Sequence, residues 1–451
     1  MDGKVLDRFV GDTPFAVMAQ IVIRRLIGKE LDAIFEESRS RQYHRQLAFS
    51  DLASTVALVA LGCVKSFNKA YQRCREQIGV SRTAFYDKIN RTEPSTLEAV
   101  VEHAGEVTAG IQDELQVQPW EIIPGHEVYA FDACHIKRTQ KRLSVLRGLS
   151  TAPRPGAVVA KFDLQHQTFS QAYLLVDAHR QEATMLDRIA HDLTPGDVAL
   201  ADRQYCAASF FMRLDSEGKF FIVRQHRRMQ CISRDERQFV GRIESGEVFE
   251  QKVEISKNGQ TLWMRRLTLC LDQPTRDGDT EIHVLTNLSA NVKATRIMEV
   301  YGFRWEEETG FYHLTMSLTC EMETMGHPHA ALFLFCMAMV CYNVLAVLTS
   351  SLYAVHDEQD VENLSYFSVA EEIGTTTRGL LIAVDEAYWR QWEICTPSSL
   401  SKELIRLADR VPVSRYRKSQ RGVKKKPPKR TLSRTRAHSS TARLLGIVKT
   451  P

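Results

Sequence analysis

The sequence predicts a mixed α/β core that is interrupted by a β-rich insertion and flanked by helical regions at both ends. Strands and helices alternate between residues 121 and 228, and period-two alternation follows from 229 to 292. Before and after these segments the apolar spacing is helical. The predicted domain boundaries are 1–120, 121–228, 229–292, 293–350, 351–410 and 411–451.

The N-terminal region is predicted to contain a helix-turn-helix. Two apolar helices are followed by a Gly-Val-Ser break at 79–81, and Ser81 can cap a third helix. On that helix Arg82 and Lys88 would be available to DNA. An ordinary helical hairpin has the same pattern, so both interpretations stay open.

The central region carries two aspartates in suggestive positions. Its predicted strands are 128–132, 157–163, 169–176, 197–202 and 220–224, and its predicted helices are 186–193 and 207–215. Asp132 and Asp202 each come at the end of an apolar strand. Singly, each reads as an ordinary turn or capping residue. Together, two carboxylates at strand ends of one sheet can converge on a cation.

A third carboxylate lies in a later helical segment. With helical spacing, Tyr301, Arg304 and Glu308 share one face, whereas Glu306 and Glu307 point elsewhere. The helix dipole alone accounts for two acidic residues near a helix start. It does not account for an Arg and an aromatic residue flanking Glu308 on one stripe.

Residues 330–349 are apolar enough to span a bilayer. The flanks lack the cationic residues that orient membrane helices, and Asn343 would need a partner in hydrocarbon. A buried core helix is the favoured interpretation. No signal peptide is expected at the start of the sequence, and the ten scattered cysteines contain no C-x-x-C pair, which favours free thiols in a reducing compartment.

The C-terminal segment 411–451 contains thirteen Lys or Arg residues and no Asp or Glu. Such a segment is predicted to be disordered and to bind a polyanion through counterion release. Lys424, Lys425 and Lys426 lie at its centre. A solvating tail without a partner is the alternative.

Tyr301, Arg304 and Glu308 resemble the Tyr-x2-Arg-x3-Glu part of the signature of bacterial insertion-sequence DDE transposases, specifically the insertion-sequence-four family. The Asp-Arg-Gln-Tyr segment at 202–205 is similar to the Asp-Arg-Gly-Tyr segment of that family. The Lys that ends the Tyr-Arg-Glu-Lys signature is replaced by Thr315.

Two further segments extend the resemblance, which covers about residues 125 to 350. Residues 132–147 resemble the block after the first catalytic Asp, although Ala133 stands where Gly is usual. Trp305 also fits the surroundings of the signature, and it could stack on a displaced base or on the core. About a hundred residues separate Asp202 from Glu308, more than a simple crossover needs, which agrees with an insertion.

The resemblance implies a ribonuclease H-like core that holds two Mg²⁺ ions, with Mn²⁺ able to substitute. Asp132 would bridge the ions, and Asp202 and Glu308 would each complete one shell. Arg304 would pair with a phosphate, and Tyr301 could donate a hydrogen bond to one. The expected activity is cut-and-paste transposition through a hairpin intermediate.

The expected partners are double-stranded DNA, as transposon terminal inverted repeats and target, and a second copy of the chain when DNA ends are bound. The region 351–410 is a candidate dimer contact. The expected location is the cytoplasm, associated with the nucleoid.

The sequence is also compatible with two other functions. One is a catalytically silent, transposase-derived DNA-binding protein, an interpretation that Thr315 supports because it replaces the Lys of the signature. The other is a ribonuclease H-like endonuclease that does not transfer strands. The sequence lacks the G-x-x-x-x-G-K-[ST], G-x-G-x-x-G and H-E-x-x-H motifs, so nucleotide hydrolysis, dinucleotide chemistry and zinc proteolysis have no support.

Overall fold

A computed structural model describes residues 2–40, 42, 46–115, 121–275, 278–419 and 438–448, with the side chains at 2, 3, 305–308 and 438 outside this description. The N-terminal part consists of helices. They are α1 (Asp2–Asp12), α2 (Pro14–Leu26), α3 (Glu30–Ser38), α4 (Phe49–Ala60), α5 (Phe67–Ile78), α6 (Arg82–Arg91) and α7 (Pro94–Glu114).

The middle of the chain combines strands with helices. Its first part contains β1 (Val128–His135), β2 (Ala152–Arg154), β3 (Ala157–Asp163), β4 (Thr168–Leu175), α8 (Leu186–Asp192), β5 (Val198–Ala201), α9 (Ala208–Ser216) and β6 (Phe220–Arg224). The second part contains β7 (Ile232–Ser233), β8 (Gln238–Ile243), β9 (Gly246–Lys257), β10 (Gln260–Leu271) and β11 (Glu281–Thr286). Short 3-10 helices cover Ser144–Leu146, Glu182–Met185 and Arg203–Tyr205.

Helices dominate again after the strands. They are α10 (Ala294–Met316), α11 (Pro328–Tyr353), α12 (Glu358–Glu362), α13 (Tyr366–Ala383), α14 (Glu386–Arg390), α15 (Pro397–Ala408) and α16 (Thr441–Leu444). A 3-10 helix covers Val413–Tyr416, and β12 covers His438–Ser440.

All of these strands except β2 and β12 form one mixed sheet, which confirms the predicted α/β fold class. Its order is β4-β3-β1-β5-β6-β11-β10-β9-β7, and β8 pairs with β9. The strands β1, β5 and β6 are mutually parallel, β3 runs antiparallel to β1, and β4 runs antiparallel to β3 and therefore in the direction of β1. This mixed five-stranded unit with its covering helices is consistent with a ribonuclease H-like core.

The β-rich segment 229–292 is joined to the core sheet by one of its strands. Its last strand, β11, pairs antiparallel with β6, so the insertion continues the core sheet. Without this pairing β6 would present an edge of unpaired backbone groups. A turn at Asn258-Gly259 joins β9 to β10, with positive φ at both residues.

The apolar helix α11 is the centre of the core. It is long and apolar enough to cross a membrane, yet its most apolar 18-residue window is 100% buried inside the protein. Asn343 has its partner there: it accepts from the Phe169 N–H (2.9 Å) and donates to the Phe169 carbonyl (2.8 Å). This amide completes the backbone pairing of Phe169 at an irregular point of the β3–β4 register.

The helices at both ends of the chain share this core. Helix α7 packs on α11 and on β4, where a Cβ on Gly105 would lie 2.7 Å from the Ser170 Cα. Helices α13 and α15 pack on α2 and α7. The N- and C-terminal helical regions therefore support the same face of the sheet.

The structure differs from the sequence expectation at the C-terminal segment. Residues 411–419 and 438–448, expected to be disordered, are packed on the fold. The side chain of Tyr416 is buried, and β12 pairs in parallel with β2. Arg443 forms an ion pair with Asp177 (2.6 Å). Apolar and small residues at both places override the basic composition, which is concentrated at 420–437, outside the described residues.

Candidate active site

Two aspartates lie next to each other at one edge of the sheet. Strands β1 and β5 are parallel, and Phe131 is the register partner of Ala201. Asp132 and Asp202 follow these two residues and therefore occupy neighbouring positions. The preceding residues on both strands are largely buried and apolar, which fixes the register that aligns the two carboxylates.

One detail of the strand prediction is wrong. Asp132 does not end β1, because the strand continues to His135 while paired with β3. Asp202 does follow the last residue of its strand.

Each carboxylate is oriented by a backbone amide. Oδ1 of Asp132 accepts from the Ala133 N–H (2.8 Å), and Oδ1 of Asp202 accepts from the Gln204 N–H (2.7 Å). Asp202 thereby caps the 3-10 helix Arg203–Tyr205. In both residues the second oxygen, Oδ2, is free of this local bond and can serve another partner.

The second oxygen of Asp132 has a cationic neighbour from α10. Arg304 Nη1 lies 3.3 Å from Asp132 Oδ2, and the Arg304 side chain is 11% exposed. Tyr301, one turn earlier on α10, is also buried. Burial raises the pKa of its phenol, with Arg304, Arg224 and Asp202 as charged neighbours. The predicted face of Tyr301 and Arg304 therefore points at the aspartate pair.

Glu308 and Trp305 belong to α10, but their side chains lie outside the described part of the structure. The backbone of Glu308 is one helical turn beyond Arg304. Helix α10 is seated closely on the sheet at Gly310, where a Cβ would lie 3.1 Å from Phe169 Cζ and 3.3 Å from Phe162 Cε2.

Glu182 is a further carboxylate of the site, and sequence reasoning missed it. Burial, together with the negative charges of Asp132 and Asp202, raises the pKa of Glu182 to about 7. It lies in the 3-10 helix Glu182–Met185, which contacts the 3-10 helix after Asp202. No local pattern marks this residue in the sequence, because only the chain topology brings it to the aspartates.

This arrangement fits a divalent cation. Three carboxylates with Arg304 as a counter-charge leave negative charge that a hard, oxygen-preferring ion would neutralise. Among the described side chains, no set of three His, Cys, Asp or Glu residues is already close enough to hold a metal. Asp132 and Asp202 supply two ligands, and the third predicted ligand, Glu308, lies outside the described side chains.

Thr315 offers no substitute for the missing Lys. Its hydroxyl donates to the backbone of its own helix, to the Tyr312 carbonyl at 2.9 Å and to the Phe311 carbonyl at 3.3 Å. A threonine hydroxyl has no positive charge, and this one is already hydrogen-bonded to its own helix. It therefore cannot take the place of a lysine beside a phosphate.

The other predicted DNA contacts are distributed over the molecule. Gly79 (φ 64°) ends α5, and Ser81 caps α6 as predicted. Arg82 is exposed, but Lys88 is half-buried with its Nζ 4.2 Å from the centre of the Phe35 ring. Lys88 therefore packs against α3, which is at odds with a free DNA-contacting lysine.

Lys424, Lys425 and Lys426 lie outside the described residues, so the structure gives no position for these three predicted DNA contacts.

Comparisons with known proteins give one family match and one similar solved structure. Residues 124–344 match a family model described as "Transposase DDE domain". No protein of curated function matches the chain. Among solved structures, the chain is similar to the piggyBac transposase in a synaptic complex with hairpin DNA, with 9% identity and a TM-score of 0.41 over 86% of each chain.

Proposed function

We propose, from the transposase DDE domain that residues 124–344 match, that this chain is a transposase that cuts DNA strands and joins them to a new site. The observation that carries the proposal is the adjacency of Asp132 and Asp202 within that domain. Strand cleavage and strand transfer are both attacks of an oxygen on phosphorus, so one carboxylate centre can serve both.

Asp132, Asp202 and Glu308 would hold the divalent ions, Mg²⁺ or Mn²⁺. When bound at such carboxylates, these ions activate the attacking oxygen and neutralise charge on the phosphate and leaving group. The backbone amides of Ala133 and Gln204 hold the two aspartates in orientation beforehand. Glu182, whose pKa is raised to about 7, adds negative charge close to both aspartates when it loses its proton.

Arg304 and Tyr301 would act on the DNA. Arg304 pairs with Asp132 in this structure, and cation binding at Asp132 would release the guanidinium to a phosphate oxygen. The Tyr301 phenol stays protonated because burial raises its pKa, and it can therefore donate a hydrogen bond. The proposed route passes through a hairpin, in which the freed 3′ hydroxyl attacks the opposite strand.

The proposed partners are the terminal repeats of the element, target DNA and a second copy of the chain. Two ends must be cut and joined together, which requires at least two active sites in one complex. The region 351–410 is proposed as the contact between copies, and the cytoplasm, at the nucleoid, as the place of action. Size determination with and without element-end DNA tests the proposed dimer.

The experiment is cleavage of DNA carrying the terminal inverted repeats proposed as the substrate. Wild type is expected to nick the ends with Mg²⁺ or Mn²⁺, to give hairpin-ended products, and to join them to a target. Asp202→Ala is expected to lose cleavage by several orders of magnitude, because transition-state charge stabilisation is removed. Equal behaviour of wild type and Asp202→Ala would refute the enzymatic function.

One observation favours a second candidate, a DNA-binding protein without catalysis. Thr315 replaces a cationic member of the resembled signature and turns its hydroxyl to its own helix. Binding of the repeats by wild type and Asp202→Ala alike, without cleavage by either, would support this candidate. Cleavage without joined products would instead indicate a nuclease that does not transfer strands.

A further inference from the structure

A basic loop follows β6 at the same sheet edge as the aspartates. Strand β6 is parallel to β5, and Val223 is the register partner of Ala201. The loop 225–231 therefore leaves the sheet beside Asp202. At its tip Arg227 and Arg228 are both exposed.

The shape of this loop is fixed by its own hydrogen bonds. The Gln225 side-chain amide donates to the Met229 carbonyl (3.1 Å) and to the Cys231 sulfur (3.5 Å). The ring Nδ1 of His226 accepts from the Arg228 N–H (3.1 Å). Because these hydrogen bonds already order the loop, binding a ligand to its arginines costs little further conformational entropy.

The loop also starts close to the segment that carries Asp202. Strand β6, from which the loop leaves, contacts the 3-10 helix Arg203–Tyr205 that Asp202 caps. Arg203, next to Asp202, is exposed as well. The two neighbouring loops thus present guanidinium groups around one of the two aspartates.

These arginines are available for an external anion. Within the described part of the chain, neither Arg227 nor Arg228 forms an ion pair. By contrast, Arg224 at the end of β6 is paired with Asp279 (2.7 Å). Guanidinium groups bind phosphate oxygens in a bidentate manner, so the phosphate backbone of DNA is a matching ligand.

The spacing of the β-strands allows one DNA strand to reach from the aspartates to the loop. Neighbouring strands are ~4.8 Å apart, so the end of β6 lies roughly 10 Å from Asp132 on β1. Successive nucleotides of a DNA strand advance ~3.4 Å along the helix axis, so the loop would meet phosphates about three nucleotides from the reacting one.

We propose that the loop 225–231 is a phosphate clamp that holds the DNA backbone on the β6 side of the Asp132–Asp202 pair, with Arg227 and Arg228 as its contacts. The clamp rests on the proposed DNA-cutting function and adds to it a named substrate-positioning element. It binds backbone and not bases, so it acts on any DNA sequence.

The test measures the affinity of the full-length protein for a short, labelled duplex of mixed sequence, in EDTA, over a range of salt concentrations. Arg227→Ala/Arg228→Ala is compared with Lys4→Ala/Lys29→Ala, a matched loss of two exposed positive charges in the N-terminal helical part. Two lost phosphate contacts lower the slope of log K against log salt by about 1.8. Between 50 and 200 mM salt, wild type is then expected to lose roughly tenfold more affinity than the clamp variant.

A third variant separates loop shape from charge. Gln225→Ala keeps both arginines but removes the amide that closes the loop, and it is expected to weaken binding while leaving the net charge unchanged. Arg227→Lys/Arg228→Lys is expected to restore the salt slope.

An unchanged salt slope in Arg227→Ala/Arg228→Ala, or an equal decrease of the slope in the Lys4→Ala/Lys29→Ala control, would overturn the clamp. These measurements need no catalysis, so their failure is distinguishable from failure of the proposed function, which is the absence of Mg²⁺-dependent cleavage by wild type.

Discussion

At the scale of single residues, the neighbouring positions of Asp132 and Asp202 could be predicted from their settings. Both follow buried apolar residues on strands, and the parallel register of β1 and β5 places them side by side. Glu182 could not be found in this way, because it lies in a polar stretch whose local pattern indicates only a turn. Its role depends on which loop meets which strand.

Glu182→Gln is expected to weaken divalent-ion binding and metal-dependent cleavage by about 10- to 100-fold. The substitution removes a negative charge near Asp132 and Asp202 without changing side-chain size. Titration of cleavage with Mn²⁺ measures the effect. Asp187→Asn is the control, because Asp187 lies near Glu182 in the chain but its side chain is 97% exposed. Identical Mn²⁺ curves for wild type and Glu182→Gln would contradict the assignment.

His166 makes the stability of the fold depend on pH. It lies outside the group of residues proposed as the active site. Its Nδ1 lies 2.7 Å from Asp163 and its Nε2 lies 3.2 Å from Asp113, an ion pair that ties the β3–β4 turn to the end of α7. Burial alone would lower the pKa of His166, but the hydrogen bonds and charges of the two aspartates raise it to about 9.

Because the folded pKa is raised, the stabilisation by His166 is full below about pH 6.5, the value of an unperturbed histidine, and is lost as pH rises through about 9. The unfolding midpoint of wild type should exceed that of His166→Gln most at pH 6, with the difference shrinking by pH 9.5. A difference that grows with pH would contradict this linkage.

At the scale of elements, the strands and the buried helix α11 were predictable because their periodicity is local. The need of Asn343 for a partner was evident from its apolar surroundings. The partner itself, the backbone of Phe169, was not evident, because it depends on a register shift between β3 and β4. Likewise, the alternation of residues 229–292 predicted strands but not that β11 would join β6.

Helix α10 supplies a test at this scale. Gly310→Ala places a methyl group 3.1 Å from Phe169 and 3.3 Å from Phe162, so the helix that carries Arg304 and Glu308 must shift. Overpacking of this kind costs about 1–3 kcal/mol, against up to about 1 kcal/mol gained from the better helix propensity of Ala. We expect lower cleavage activity together with a lowered melting temperature.

Gly302→Ala on the same helix is the matched control. Nothing lies within 4 Å of the added methyl group there, so the substitution should be neutral or slightly stabilising. Equal activity of Gly310→Ala and Gly302→Ala would show that the close packing of α10 on the sheet does not position the site.

At the scale of the whole molecule, the fold class followed from the order of local patterns, but the packing between distant segments did not. The N- and C-terminal helices share one core around α11, and β12 returns to pair with β2. Such contacts join residues hundreds of positions apart, and no periodicity encodes them. The basic composition of 411–451 concealed that its two described parts are packed.

Anomalous diffraction from crystals of the protein soaked with Mn²⁺ in the presence of DNA measures most directly whether Asp132 and Asp202 hold divalent ions. We expect manganese peaks within coordination distance of the carboxylates of Asp132 and Asp202, with Arg304 moved from Asp132 to a phosphate. Manganese bound elsewhere, with the Arg304–Asp132 ion pair intact beside the DNA, would contradict this expectation.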